Sequence, residues 1–63
     1  MGEVLLKYYK HVTDEMGMNG KLKLAMVTKI PSTQAAMTPD SPENINMFKA
    51  TVQKITGKAV PAF

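Results

Sequence analysis

His11 is the only histidine in the chain, and it stands three and four residues before Asp14 and Glu15. On a helix that spacing sets the ring beside a carboxylate and offers a fragment of a metal site. Zinc sites take three or four protein ligands. With no cysteine and one histidine, the triplet reads better as a solvated polar face with a local charge pair. Ser32 and Ser41, the only serines, sit where helix caps belong, and neither has the neighbouring base that a nucleophile needs. Glu3, Asp14, Glu15, Asp40 and Glu43 are spread over helix starts and a polar face and are not paired for acid–base work. Gly17 and Gly20 with Lys21 lack the spacing and the preceding strand of a phosphate-cradling loop. Tyr8 and Tyr9 are surfaces on which a base or ligand could stack, but on an amphipathic helix one of them belongs to the core and the other to its partly exposed margin. No catalytic, cofactor or metal constellation emerges, so the expectation is a protein that is not an enzyme and uses no cofactor.

Charge narrows the partners. The formal net charge of +3 comes from eight lysines, at positions 7, 10, 21, 23, 29, 49, 54 and 58, with no arginine. Lysine is a well-hydrated point charge, whereas guanine readout and bidentate phosphate contacts use the planar fork of arginine. The basic balance therefore permits an acidic partner without specifying nucleic acid. No apolar run approaches the roughly 18 residues of a membrane span, and the first residues alternate charge with hydrophobicity, so a cytoplasmic protein is expected.

The elements follow from periodicity. Leu5, Tyr8, Tyr9, Val12 and Met16 form one helical stripe over Glu3 to Met16, and Gly17, Asn19 and Gly20 supply the conformations that end a helix. From Lys21 to Ile30 the pattern is ambiguous. Leu22, Leu24, Met26, Thr28 and Ile30 alternate as in a strand, while Leu22, Ala25, Met26, Val27 and Ile30 share a broad helical face that leaves only Leu24 out of place. The abundance of Lys, Leu, Ala and Met favours helix, and Pro31 ends it near Lys29. Ser32 is placed to cap a short helix over Thr33 to Met37, stopped by Thr38-Pro39. Ser41, Pro42 and Glu43 then supply the cap, the preset φ and the dipole partner of a second long helix. That helix carries Ile45, Phe48, Val52 and Ile55 on one face and closes at Gly57. The expected fold is all-α, a small three- to four-helix domain over residues 1–57 with a tail at 58–63 from which Val60 and Phe63 can pack back. The alternative is α+β, with a short strand at about residues 21–30. Leu5, Tyr8, Val12, Phe48, Val52 and Ile55 should be the most buried side chains.

Leu24-Ala25, then Thr28-Lys29-Ile30-Pro31-Ser32-Thr33, and a helix opening at Ser41-Pro42 together resemble the centre of a helix-turn-helix regulator of the lambda-repressor type. The likeness is a local motif within Gly17 to Gly57, and it departs from that pattern in having Lys29 where glycine is usual. It implies DNA contacts through Ser32, Thr33 and Gln34, with Lys21, Lys23 and Lys29 on phosphates. Against it, no basic side chain lies between Pro31 and Phe48. The other reading rests on size and composition. A chain of 63 residues buries only about 60% of its unfolded surface, and it has neither disulfides nor a metal to reinforce it. Its six methionines suit adaptable apolar contacts. The leading expectation is a helical interaction module that associates with itself or docks on another protein, and DNA binding is the alternative.

Overall fold

A computed structural model describes residues 2–60, and among them it contains four helices and no strand. These are α1 (Glu3–Met16), α2 (Met18–Thr28), α3 (Ser32–Ala35) and α4 (Pro42–Thr56). The domain is all-α, and the alternative of a strand at 21–30 falls because that stretch is helical through Thr28. Helix α4 starts as its sequence dictates. Ser41 accepts a hydrogen bond on its Oγ from the Asn44 amide at 3.3 Å, Pro42 holds the first helical position, and Gly57 closes the helix in the left-handed conformation.

Leu5, Tyr8, Tyr9 and Val12 of α1, Leu24 of α2, Ala35 of α3, and Phe48 and Val52 of α4 form the buried core. Phe48 lies against both tyrosines, with ring centroids 6.4 Å from Tyr8 and 5.7 Å from Tyr9. The nearly edge-on geometry with Tyr9, at 73°, is one that aromatic quadrupoles favour. Two burial expectations change. Tyr9 is as deeply buried as its neighbour, because α1 is covered by α2 and α4 together and has no apolar margin left at that position. Ile55 is only half-buried, because it lies in the last turn of α4, where the core opens to the surface. In the tail, Val60 packs against the core and Lys58 pairs with Glu15 at 3.4 Å, while Phe63 lies outside the described residues.

The larger corrections concern α2. It begins at Met18, so Asn19 and Gly20 lie inside the helix instead of ending the one before. Gly17 alone joins α1 to α2, with φ 70° and ψ −155°, a combination open essentially to glycine only. The buried face of α2 is Gly20, Leu24 and Thr28; of the broad apolar face read from the sequence, Leu22, Met26 and Val27 are exposed, while Ala25 and Ile30 pack half-buried against the core. Close approach explains the choice. A Cβ on Gly20 would stand 2.8 Å from the Met16 Cβ and 3.0 Å from Val12 Cγ2, so α2 presses on α1 where no side chain intervenes. Leu24 then fills the contact alone, and the Thr28 hydroxyl satisfies itself on the Leu24 carbonyl at 2.6 Å.

At the other end of α1, the Asp40 carboxylate accepts from the Val4 and Leu5 amides at 3.3 and 3.4 Å, and the Gly2 amide donates to the Ala36 carbonyl at 3.2 Å. The connection before α4 thus caps a helix distant in sequence. Helix α3 begins one residue earlier and ends two residues earlier than expected. Pro31 takes the cap position, Ser32 is the first helical residue and makes no capping bond, and the helix ends at Ala35 short of Met37.

Replacing Gly20 by Ala tests the close contact. Helix propensity alone would stabilise this variant by about 1 kcal/mol, but the overpacking against Met16 and Val12 costs about 1–3 kcal/mol. A lowered midpoint in urea denaturation is therefore expected, and a raised one would show that α1 and α2 can separate without loss.

Candidate functional site

The residues with chemical potential are dispersed. His11 is half-buried and shares a shallow surface depression with Lys7, Lys10 and Asp14, while Glu15 pairs with Lys58. No group of three or more potential metal ligands occurs among the described residues. Tyr8 and Tyr9 belong to the core, so neither ring is a platform for an incoming base. The Tyr9 hydroxyl donates to the Ile30 carbonyl, and the Thr28 hydroxyl accepts from the Ile30 amide at 3.3 Å. Together these bonds fix the exit of the chain from α2. Burial pushes both phenols above their ordinary value near 10, and at Tyr9 the hydrogen bond with Thr28 acts in the opposite direction.

The helix-turn-helix echo has its turn at Lys29-Ile30-Pro31. Lys29 adopts φ 59° and ψ 19°, the left-handed conformation for which glycine is the usual choice at this point of the motif. The element that would read bases is α3, four residues and about 6 Å long. Thr33 and Gln34 are exposed on it and Ser32 is half-buried. Of the lysines assigned to phosphates, Lys23 and Lys29 are exposed and Lys21 is half-buried. On α2 Lys21 and Lys23 project at widely separated angles, so they do not line one track with Lys29.

A different surface is more continuous. Met18, Leu22 and Met26 recur every four residues along α2 and are 69%, 57% and 77% exposed, with Val27 beside them at 59%. Isolated exposed apolar residues are ordinary, but a row of them on one helix face is not. Because Gly20, Leu24 and Thr28 face inward, α2 is apolar on two opposite sides, the pattern of a helix with neighbours on both. Met26 joins this row to a groove of about 310 Å³ between α2 and α4, lined by Lys23, Met26, Val27, Thr51, Lys54 and Ile55. The Thr51 hydroxyl donates to the Met47 carbonyl at 2.7 Å, so it leaves no unpaired polar group in the groove. Sequence periodicity grouped Leu22, Met26 and Val27 on one helical face without showing which way that face points. The groove itself depends on α4 and had no signal along α2.

Comparisons of the chain with known protein families, with curated protein sequences and with solved structures give no match. Among the described residues, no helix is long and apolar enough to cross a membrane.

Two measurements check the local chemistry. A phenol whose folded pKa is raised holds its proton longer in the native state, so its contribution to stability is complete below about pH 10 and is lost as pH rises through the folded value. Tyrosinate absorbance should therefore appear later than in a denatured control, together with alkaline unfolding. A titration matching free tyrosine in a chain that remains folded would contradict the burial of both rings. Lys29→Gly should stabilise the domain by up to about 1 kcal/mol by relieving the left-handed backbone, read from the thermal midpoint. A loss of stability would mean that the turn does not hold this conformation.

Proposed function

We propose that the chain is a protein-docking module without catalytic activity, and that its contact surface is the outer face of α2. The observation that supports this reading is the row Met18, Leu22 and Met26, exposed on a helix whose opposite side is already occupied by the core. Methionine suits such a surface because its flexible, polarisable side chain adapts to partner shape. The occupant we infer is a different protein rather than a second copy. A standard interface takes about 800 Å² per partner, a large part of the 4112 Å² surface of this chain. The 11 residues of α2 span about 16 Å, so a partner must also engage neighbouring surface, such as the groove shared with α4, to reach that area. Two copies would bring like-charged, lysine-flanked faces together, with no acidic residue on α2 to answer them.

DNA binding is the weaker reading on physical grounds, because a one-turn α3 offers few side chains to a major groove and α2 presents methionine and leucine where phosphates would lie. The experiment is amide shift mapping with synthetic helical peptides that carry leucines at helical spacing, and in parallel with duplex DNA at physiological salt. Shifts should concentrate at Met18, Leu22, Met26 and Val27 on peptide addition. Paired Leu22→Ser and Met26→Ser substitutions should abolish them while changing stability by less than about 0.5 kcal/mol, as exposed positions do. If no peptide binds and DNA instead shifts Ser32, Thr33 and Gln34, the helix-turn-helix reading replaces this one. A melting temperature that rises with protein concentration would point to self-association through the same face.

A further inference from the structure

We propose that the groove between α2 and α4 receives the apolar side of an acidic amphipathic helix from the partner protein, with Lys23 and Lys54 on its two walls pairing with that helix's carboxylates. The inference rests on the docking reading above and specifies its partner. Lys23 comes from α2 and Lys54 from α4, so the two charges stand on either side of an apolar strip made by Met26, Val27 and Ile55. Both lysines are exposed, and neither has a carboxylate partner among the described residues. No acidic residue lines the groove, none occurs on α2, and the only one on α4 is Glu43 in its first turn. The carboxylates lie elsewhere: Glu3, Asp14 and Glu15 on α1, with Asp40 already bonded to the start of that helix.

This layout selects among occupants. A cleft between two helices fits helix-in-groove recognition, in which apolar anchors recur at i, i+3, i+4 and i+7 and the polar flanks set specificity. About three turns of partner helix match the length of α2. A second copy of this chain does not supply the ligand, because its acidic helix α1 has its apolar stripe buried in the core and its outward-facing helices are basic. An anionic bilayer would offer charge but presents a broad surface rather than a ridge to fill a cleft. A nucleic acid would set phosphates over methionine, valine and isoleucine. Charge at the rim contributes chiefly to selectivity and association rate.

The probes are three synthetic three-turn helical peptides with one leucine pattern, flanked by Glu, Gln or Lys, measured by fluorescence anisotropy against the intact chain. The Glu peptide should bind about tenfold more tightly than the Gln peptide, since exposed ion pairs each contribute only modestly. Its advantage should shrink as salt rises, because exposed pairs are screened. Lys23→Gln combined with Lys54→Gln should erase that advantage and leave the Gln peptide's affinity and the thermal midpoint unchanged. Equal binding of the Glu and Gln peptides would overturn the acidic-partner inference while leaving the docking surface intact. Binding by none of the three would remove both. If vesicles with anionic headgroups recruit the protein, and lose it on the two lysine substitutions while the peptides do not bind, the ligand is a membrane surface and the proposal fails. Sedimentation as a dimer that the double lysine variant strengthens would assign the groove to a second copy and overturn it as well.

Discussion

The packing of Phe48 against Tyr8 and Tyr9 is the contact on which the arrangement of this domain depends. It joins the two long helices through the largest side chains available, and all three rings are buried. In a chain with so little core, aromatic burial supplies much of the apolar area removed from water. Tyr9 extends the effect beyond the core, because its hydroxyl holds the Ile30 carbonyl and so ties the end of α2 to α1. The rotation of α2 about its own axis is constrained from that end by a hydrogen bond and from the other by the single glycine linking it to α1.

Between those two ends, α2 approaches α1 most closely at Gly20. Gly20 leaves room for the side chains of Val12 and Met16, Leu24 fills the remaining space, and Thr28 is buried without an unsatisfied hydroxyl. The cost of that fit is that Met18, Leu22, Met26 and Val27 remain in water. That exposed row is the surface on which the proposed docking reading rests. The lysines beside it, without arginine and without acidic neighbours on α2, give that surface a sign. On the proposed docking reading, that sign favours carboxylates held by a protein over the closely spaced phosphates of a duplex, where arginine forks would be expected.

Capping shows the same division between local and distant effects. Ser41 caps α4 from three residues away, and that pairing is written in consecutive residues. Asp40, adjacent to it, instead accepts from amides at the start of α1, more than thirty positions earlier. Two neighbouring polar residues thus fix the starts of both long helices, which couples the connection before α4 to the first turn of the chain. Pro31 displaces Ser32 from the cap of α3, so a residue with the right chemistry for a cap lies one position too late.

The sequence by itself determined the two long helices to the residue, Glu3–Met16 and Pro42–Thr56, because amphipathic stripes, Ser41-Pro42 and the closing glycines act over one or two turns. It favoured the all-α class over the alternative with a strand at 21–30, and it identified most of the core, since Leu5, Tyr8, Val12, Phe48 and Val52 each lie on a single unambiguous stripe. It did not determine which side of α2 faces inward. That helix is apolar around much of its circumference, so periodicity favoured the side with more apolar residues, whereas the fold buries the side that carries Gly20. Tertiary structure alone decided this, because the benefit of burying Leu22 and Met26 was outweighed by how closely α1 and α2 approach at Gly20, a distance that no property of α2 alone encodes. The exposed row, the groove shared with α4 and the pairing of Lys23 with Lys54 across it all follow from that one choice of face.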